Sequence, residues 1–417
     1  MTLISTKTTS EEIDLSKSYL IPLILVTSLF FLWGMVNILN SALIAHFQPV
    51  FEIKRTQALL VETAFYFGYF TIAIPAGLFM ERYSYKKGIL LGLILYAIGA
   101  LLFIPAAETL TFSFFLFALY IIASGLAFLE TAANPYVTIL GKAETSVQRL
   151  NFSQSFNGLA LVVGPWVAGQ FIFAGNEGAL ETLEQKQQAA SAVIFPYTVL
   201  ASVVLIVAAL FYLIKMPEPA KGAHLKFDKS IFKNKTLTNA IVAQLFYVGA
   251  QAGVWGITIN FITTLLPNTT NEVASKNYMA VGTLLFVVGR FFGTWLMTIV
   301  KNNKLLTLYG ACASFLCMVG IFSGGLIAVY SILILNFFMS IMFPTIFALG
   351  VKDLGEQTKL GSSLIIMAIV GGALMPPLMG VIADKIGIQQ SLFVPFFCFL
   401  VVVYFGWKGY SIKSKTA

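Results

Sequence analysis

The sequence predicts an all-α polytopic membrane protein, with twelve spanning helices in two pseudo-symmetric six-helix halves. Three observations carry that prediction. Only 11% of the 417 residues are charged while 58% are hydrophobic, and the mean hydropathy is +0.86. Mostly apolar runs of about eighteen residues or more recur along nearly the whole chain, each long enough to cross a hydrocarbon core of ~30 Å. Two stretches half a chain apart also echo each other. One large soluble core is excluded, because the polar segments between the runs are too few and too short to coat it.

In chain order, the apolar runs place spans at 19–44, 56–80, 87–107, 112–139, 149–174 and 192–215 in the first half. The second half has them at 237–266, 277–300, 305–322, 324–347, 361–384 and 389–408. Residues 1–18 read as a polar cytoplasmic tail containing Glu11, Glu12 and Asp14. They lack the basic start and small-residue cleavage site of a signal peptide, so span one is expected to be retained. The first half (19–215) joins the second (237–408) through "KMPEPAKGAHLKFDKSIFKNKTL", beginning at Lys215. Its lysines mark 216–236 as a cytoplasmic linker, and 409–417 form a cytoplasmic tail.

The basic residues alternate between loops as a positive-inside topology requires. One set of loops holds Lys7, Lys17, Arg82, Lys86, Lys87, Lys142 and Arg149, then the lysines from Lys215 to Lys235. It continues with Lys301, Lys304, Lys352, Lys359 and the tail lysines, whereas the other set holds Lys54, Arg55, Lys186, Lys276 and Lys385. Both termini are therefore expected in the cytoplasm and the chain in the plasma (bacterial inner) membrane. The net charge of +8 follows from topology, and no nucleic-acid partner is expected.

The repeat is specific in register. Pro135 and Gly141 in "NPYVTILG" match Pro344 and Gly350 in "FPTIFALG" at an offset of 209 residues. Gly164-Pro165 and Pro376-Pro377 follow in turn. Six-helix halves related by an axis along the membrane normal are the major facilitator architecture, with substrate held at the midplane between them.

Glu130, in "LAFLETAANPYVTILG", lies eleven residues before Gly141, or about 16 Å at 1.5 Å per residue, close to the midplane. Ionisable residues at that depth are rare and mark ion or substrate paths. The plainer alternative is a glutamate tied to a polar neighbour or to Arg290. Glu62, in "LLVETAFYFGYF", reads equally as a second intramembrane acid or as a glutamate snorkelling to the surface.

Amides recur in and around the spans: Asn37, Asn40, Gln48, Asn134, Asn151, Gln154, Asn157, Gln244, Gln251, Asn260 and Asn336. Asn151 and Gln154 share a helix face and Asn157 drifts around it, while Gln244, Tyr247 and Gln251 share a face more strictly. Amides match sugar hydroxyls as donors and acceptors, and Trp33, Tyr66, Tyr247 and Trp255 offer cover for the apolar face of a pyranose. Hydrogen bonding between packed spans is the structural alternative for each. "GLFMERYSYKKG" joins spans two and three; there Glu81 and Arg82 are gating candidates that lock one state and release another. Gly158, Gly164 and Gly169 allow close contact in span five, a pattern shared with drug antiporters.

Other classes are disfavoured. His46 and His224 are isolated, and His46 reads as a loop-end residue. Cys312, Cys317 and Cys398 lack metal or redox spacing. No Walker-type phosphate loop occurs, so neither an enzyme nor an ATP-driven pump is expected. No metal or cofactor is expected beyond a proton or Na⁺ as coupling ion.

Several stretches together resemble the fucose/glucose/galactose permease family of the major facilitator superfamily. They are "FFLWGMVNILN", "AFYFGYFTIAIPAG", "GLAFLETAANPYVTILG", "RLNFSQSFNG", "FYVGAQAGVWG", "VVGRFFGTWL" and "FPTIFALGVKDLGEQTKLGSS". The Gln251 and Trp255 pair is more similar to L-fucose/proton symporters, since glucose/galactose members more typically carry an acid at Gln251. The resemblance implies proton-coupled sugar import, with Glu130 as the proton- and substrate-linked carboxylate and Asn151, Gln154 and Asn157 as polar groups of span five. One departure stands out: the Asn-Asp pair of the fucose symporters reads Asn40-Ser41 here, and serine holds no transferable proton. The expectation is that Glu62 takes over that role, the alternatives being a sugar uniporter, a Na⁺-coupled hexose carrier or, further off, a drug/proton antiporter. The expected partners are a monosaccharide and the bilayer, and a monomer suffices.

Overall fold

The computed structural model describes residues 19–53, 60–172, 182–217, 229–269 and 274–411. The tail 1–18, Lys54, Arg55, residues 218–228 of the linker with His224, and the tail beyond 411 lie outside the described residues. So do the side chains of Ser41 and Lys276.

Twelve of the described helices are long and apolar enough to cross a membrane. Span one is the helix Leu20–Phe51, followed by Leu60–Arg82, Tyr85–Glu108, Phe112–Ile139, Ala143–Ile172 and Leu183–Leu213. Spans seven to twelve are Lys235–Leu265, Asn277–Leu296, Asn302–Phe322, Gly325–Val351, Gly355–Lys385 and Gln390–Trp407.

Two features at the face opposite the basic loops differ from expectation. Span one was expected to stop at residue 44 but continues to Phe51, ending where Glu52 turns left-handed at φ 53. The polar residues that mimic a loop are inside protein: His46 is 3% exposed, and its Nε2 lies 3.0 Å from the carbonyl of Ala189. His46 is therefore a buried helix residue rather than a loop-end one. The segment before the apolar helix Ile194–Leu213 of span six also folds, as a helix over Leu183–Ser191 opened by a capping box between Thr182 and Gln185, which satisfies two N–H groups reciprocally. This strap is fastened by Lys186 to Glu52 at 2.7 Å and by Gln187 Nε2 donating to the carbonyl of Ala107 at 2.7 Å.

In a bilayer, helices associate through close packing rather than through the hydrophobic effect, so small residues set the crossings. Spans three and four meet at a glycine pair. A Cβ on Gly125 would stand 2.6 Å from the Gly92 carbonyl oxygen, and one on Gly92 would stand 2.9 Å from that of Gly125. Only hydrogen fits at such a contact.

The halves touch through spans two and eleven and through spans five and eight. At the face that carries the basic loops, Lys359 Nζ of span eleven donates to the carbonyl of Met80 at 3.0 Å and lies 5.0 Å from the ring of Tyr85. Gln148 Nε2 of span five donates to the carbonyl of Met297 at 2.6 Å. Asn151 Nδ2 donates to Thr345 Oγ1 of span ten at 3.2 Å. These bonds close the basic face.

Candidate functional site

Glu130 is 5% exposed in the unbroken helix Phe112–Ile139. Its Oε1 accepts from Tyr69 Oη of span two at 2.5 Å. Gly68 permits that approach, since a Cβ there would stand 2.7 Å from Ala123 Cβ of span four. Arg290 does not pair with the acid. Its guanidinium donates instead to two backbone carbonyls, through Nε to Ser340 at 2.8 Å and through Nη1 to Gln154 at 2.6 Å.

A broken helix explains that choice. Span ten consists of Gly325–Met339 and Met342–Val351. Pro344 has no N–H to return to the carbonyl four residues earlier, which is that of Ser340. Arg290 takes this orphaned oxygen, and Tyr247 Oη caps the neighbouring Met339 carbonyl at 2.9 Å. A buried acceptor left open would cost about 1–3 kcal/mol, so both side chains stabilise the break.

A polar relay runs from this break to the acid. Arg290 holds the Gln154 backbone, Gln154 Nε2 donates to Asn134 Oδ1 at 3.1 Å, and Asn134 Nδ2 donates to the carbonyl of Glu130 at 2.9 Å. On the second half's side, the Arg290 guanidinium lies 4.6 Å from the Phe286 ring centroid. Phe286 stands edge-on to Trp255 at 5.4 Å, and Trp255 Nε1 donates to Asn336 Oδ1 at 2.8 Å. The first half thus presents a carboxyl, a phenol and amides, and the second presents a fixed cation and aromatic faces.

The remaining candidates divide. Asn157 Nδ2 is engaged by the carbonyl of Phe30 at 3.2 Å, so the three span-five amides face three different partners. Neither side-chain polar atom of Gln244 has a hydrogen-bond partner, and that residue is 0% exposed. Gln251 and Trp255, farther along the same helix, are half-buried. Of the expected aromatic covers, Trp33 packs on Phe30 at 4.2 Å and is buried like Tyr247, leaving Tyr66 and Trp255 partly open.

Asn37 and Glu62 are half-buried, and Asn40 is buried with Oδ1 unpaired. Glu62 stands seven residues before Tyr69, about 10 Å along the helix. Glu81 is half-buried with Oε2 unpaired. Arg82 is exposed over Tyr83 of its own helix at 5.6 Å, and the residue that crosses to the other half beside it is Lys359. Among the described residues no three His, Cys, Asp or Glu side chains gather as a metal would require.

Sequence reasoning missed Tyr69 and Lys359 and left Arg290 with only a tentative partner. Tyr69 sits in an aromatic run where nothing singles it out, although the glycine before it was a usable sign of close approach. Lys359 was absorbed into the positive-inside pattern.

The Major Facilitator Superfamily profile matches residues 25–369. The chain is 40% identical to the L-fucose-proton symporter of Escherichia coli (strain K12), covering 96% of this chain and 95% of that protein. It is 37% identical to the glucose/galactose transporter of Brucella abortus, covering 95% and 96%. Among solved structures it is similar to the transporter FucP in the outward conformation, with a TM-score of 0.84 and 39% identity over 94% of this chain and 99% of that one.

Proposed function

This chain belongs to the major facilitator superfamily, in its fucose/glucose/galactose permease family, and on that premise we propose that it imports L-fucose or a related hexose by proton symport. The observation that carries the reading is the buried Glu130–Tyr69 pair, joined through Asn134 and Gln154 to a cation of the other half. The carboxyl can take or release a proton while Tyr69 stays in place as its partner. Arg290 keeps its charge, because guanidinium does not deprotonate in proteins. Protonation therefore changes the net charge at the junction of the halves without moving any chain.

That change matters for alternating access. A bare carboxylate near the midplane is expensive to carry through an occluded state, so proton uptake favours reorientation with sugar bound. Amides at this level match hydroxyls, and the Trp255 and Phe286 rings match the C–H face of a pyranose. The bonds of Lys359, Gln148 and Asn151 that close the basic face support an outward-facing state. The positive-inside pattern supports a cytoplasmic location for that face and both termini. The carrier works as a monomer, with the proton as coupling ion and Glu62 as a second, outer protonation site in place of Ser41.

Uptake of L-fucose, D-galactose and D-glucose into proteoliposomes, with and without gradients of pH and Na⁺, tests this. Gradient-accelerated L-fucose uptake is expected. Uptake indifferent to both gradients would retain the carrier and overturn the symport, a result that Ser41 in the expected aspartate position makes worth seeking.

A further inference from the structure

We propose that the seam between the halves at the basic face holds one anionic glycerophospholipid. Its acyl chain would lie in a groove of about 380 Å³ among spans one, five and eight, with its phosphate at Arg149. The groove is away from Glu130. Its walls are Leu23 in the first turn of span one, Phe152 near the start of span five, and Phe291 and Trp295 near the end of span eight. Three helix ends therefore meet at one membrane face, at the depth where headgroups sit. Phe152, Phe291 and Trp295 are 47%, 40% and 55% exposed, and in a spanning segment that surface faces acyl chains.

The cation at the mouth is built rather than incidental. Arg149 donates through Nε to the Val137 carbonyl, through Nη2 to that of Thr138, and through Nη1 to the Lys142 carbonyl and Thr145 Oγ1. A guanidinium has five N–H groups, so these bonds fix its position while one N–H and the charge stay available. A preorganised cation loses little freedom on binding. Lys142 and Lys301 are exposed at the same face. Glu144, on the turn Ala143–Thr145, does not line the groove.

The chemistry selects the occupant. A soluble anion gains nothing from Phe152, Phe291 and Trp295, and a zwitterionic headgroup brings its own cation to a basic site. A monoanionic phospholipid uses both the apolar wall and the charge. Since the walls come from both halves, with Gln148 bonded to the Met297 carbonyl beside them, the site is complete only while this face is closed. Given alternating access, a lipid bound there favours the closed-face state. The binding claim itself is independent of which sugar is carried.

The full chain in phosphatidylcholine vesicles, doped with brominated phosphatidylglycerol or brominated phosphatidylcholine, provides the test. Trp295 emission is isolated as the difference between wild type and Trp295→Phe. Its quenching is expected to favour the anionic lipid by about fivefold. Arg149→Gln should remove that preference. Thr294→Phe, which fills the groove without touching the cation, should reduce quenching by both lipids and guards against misfolding of the first variant. Equal quenching by the two lipids in the wild type, or a preference that survives both variants, overturns the proposal. Competition by added inorganic phosphate would also overturn it, by assigning the site to a soluble anion.

Discussion

Spans four and ten are repeats of one another at an offset of 209 residues, yet the same proline leaves one helix continuous and the other broken. Each has a proline that leaves a carbonyl without its helical donor, at Thr131 before Pro135 and at Ser340 before Pro344. In span ten the helix breaks after Met339, and Arg290 and Tyr247 cap the exposed carbonyls. In span four the helix runs on unbroken, and Asn134 bonds to the carbonyl of Glu130, one residue before the carbonyl that Pro135 leaves without a donor. The repeat position of Glu130 is Met339. One half thus carries a group whose charge can change, and the other carries a charge that cannot. On the proposed reading, a duplicated scaffold is divided into a proton-handling side and a fixed reference, with the Arg290–Gln154 bond between them.

The largest expected effect comes from erasing the changeable charge. Glu130→Gln keeps the shape and an acceptor for Tyr69, and should abolish uptake driven by a pH gradient while preserving sugar exchange across the membrane. Gradient-driven uptake that persists in this variant would move the proton site elsewhere, with Glu62 first in line.

Removing the fixed charge ranks next. Arg290→Met strands the Ser340 carbonyl, at about 1–3 kcal/mol for a buried acceptor, so a clear fall in the thermal midpoint and in uptake is expected. Arg290→Lys should recover part of both, since one ammonium cannot reproduce the two-pronged geometry. Equal stability of wild type and Arg290→Met would remove the argument that the break depends on this side chain.

Tyr69→Phe should be milder. It deletes one hydrogen bond to a charged group, about 1.5–3 kcal/mol, and is expected to slow gradient-driven uptake severalfold with sugar exchange little altered. A matching loss in both assays would make Tyr69 a sugar ligand instead.

The smallest effects belong to the basic face. Lys359→Met removes a single bond across the seam, worth about 0.5–1.5 kcal/mol, and should raise labelling of cysteines placed at that face by a few-fold. Arg82→Gln, whose partner is the adjacent Tyr83, should leave labelling unchanged. The reverse order would return the gate to Arg82.

Much of this was legible because the bilayer imposes a simple rule: about twenty apolar residues per crossing. The twelve spans and the isolated charge at Glu130 followed from it, and the repeat from matching prolines and glycines. The polar end of span one did not, because His46 looks like a loop residue until the Leu183–Ser191 strap covers it. The strap itself carried a readable sign, Thr182 followed three residues later by Gln185. The break in span ten was invisible, since "NPYVTILG" and "FPTIFALG" look alike while only one interrupts its helix. Partners distant in sequence were equally hidden: Tyr69 lies 61 residues from Glu130, and no local pattern pairs them. Gln244 was grouped with Tyr247 and Gln251 by its helical spacing, and packing has buried it.

The strap has a practical value of its own. Its described anchors, Glu52, His46, Ala107 and Glu108, belong to the first half, so it travels with that half at the face opposite the basic loops. A spectroscopic label on the exposed Leu183, paired with one near the outer end of span seven, would read the angle between the halves during transport. An antibody fragment raised against the strap would give a small, featureless membrane protein the external landmark that electron cryo-microscopy needs for alignment.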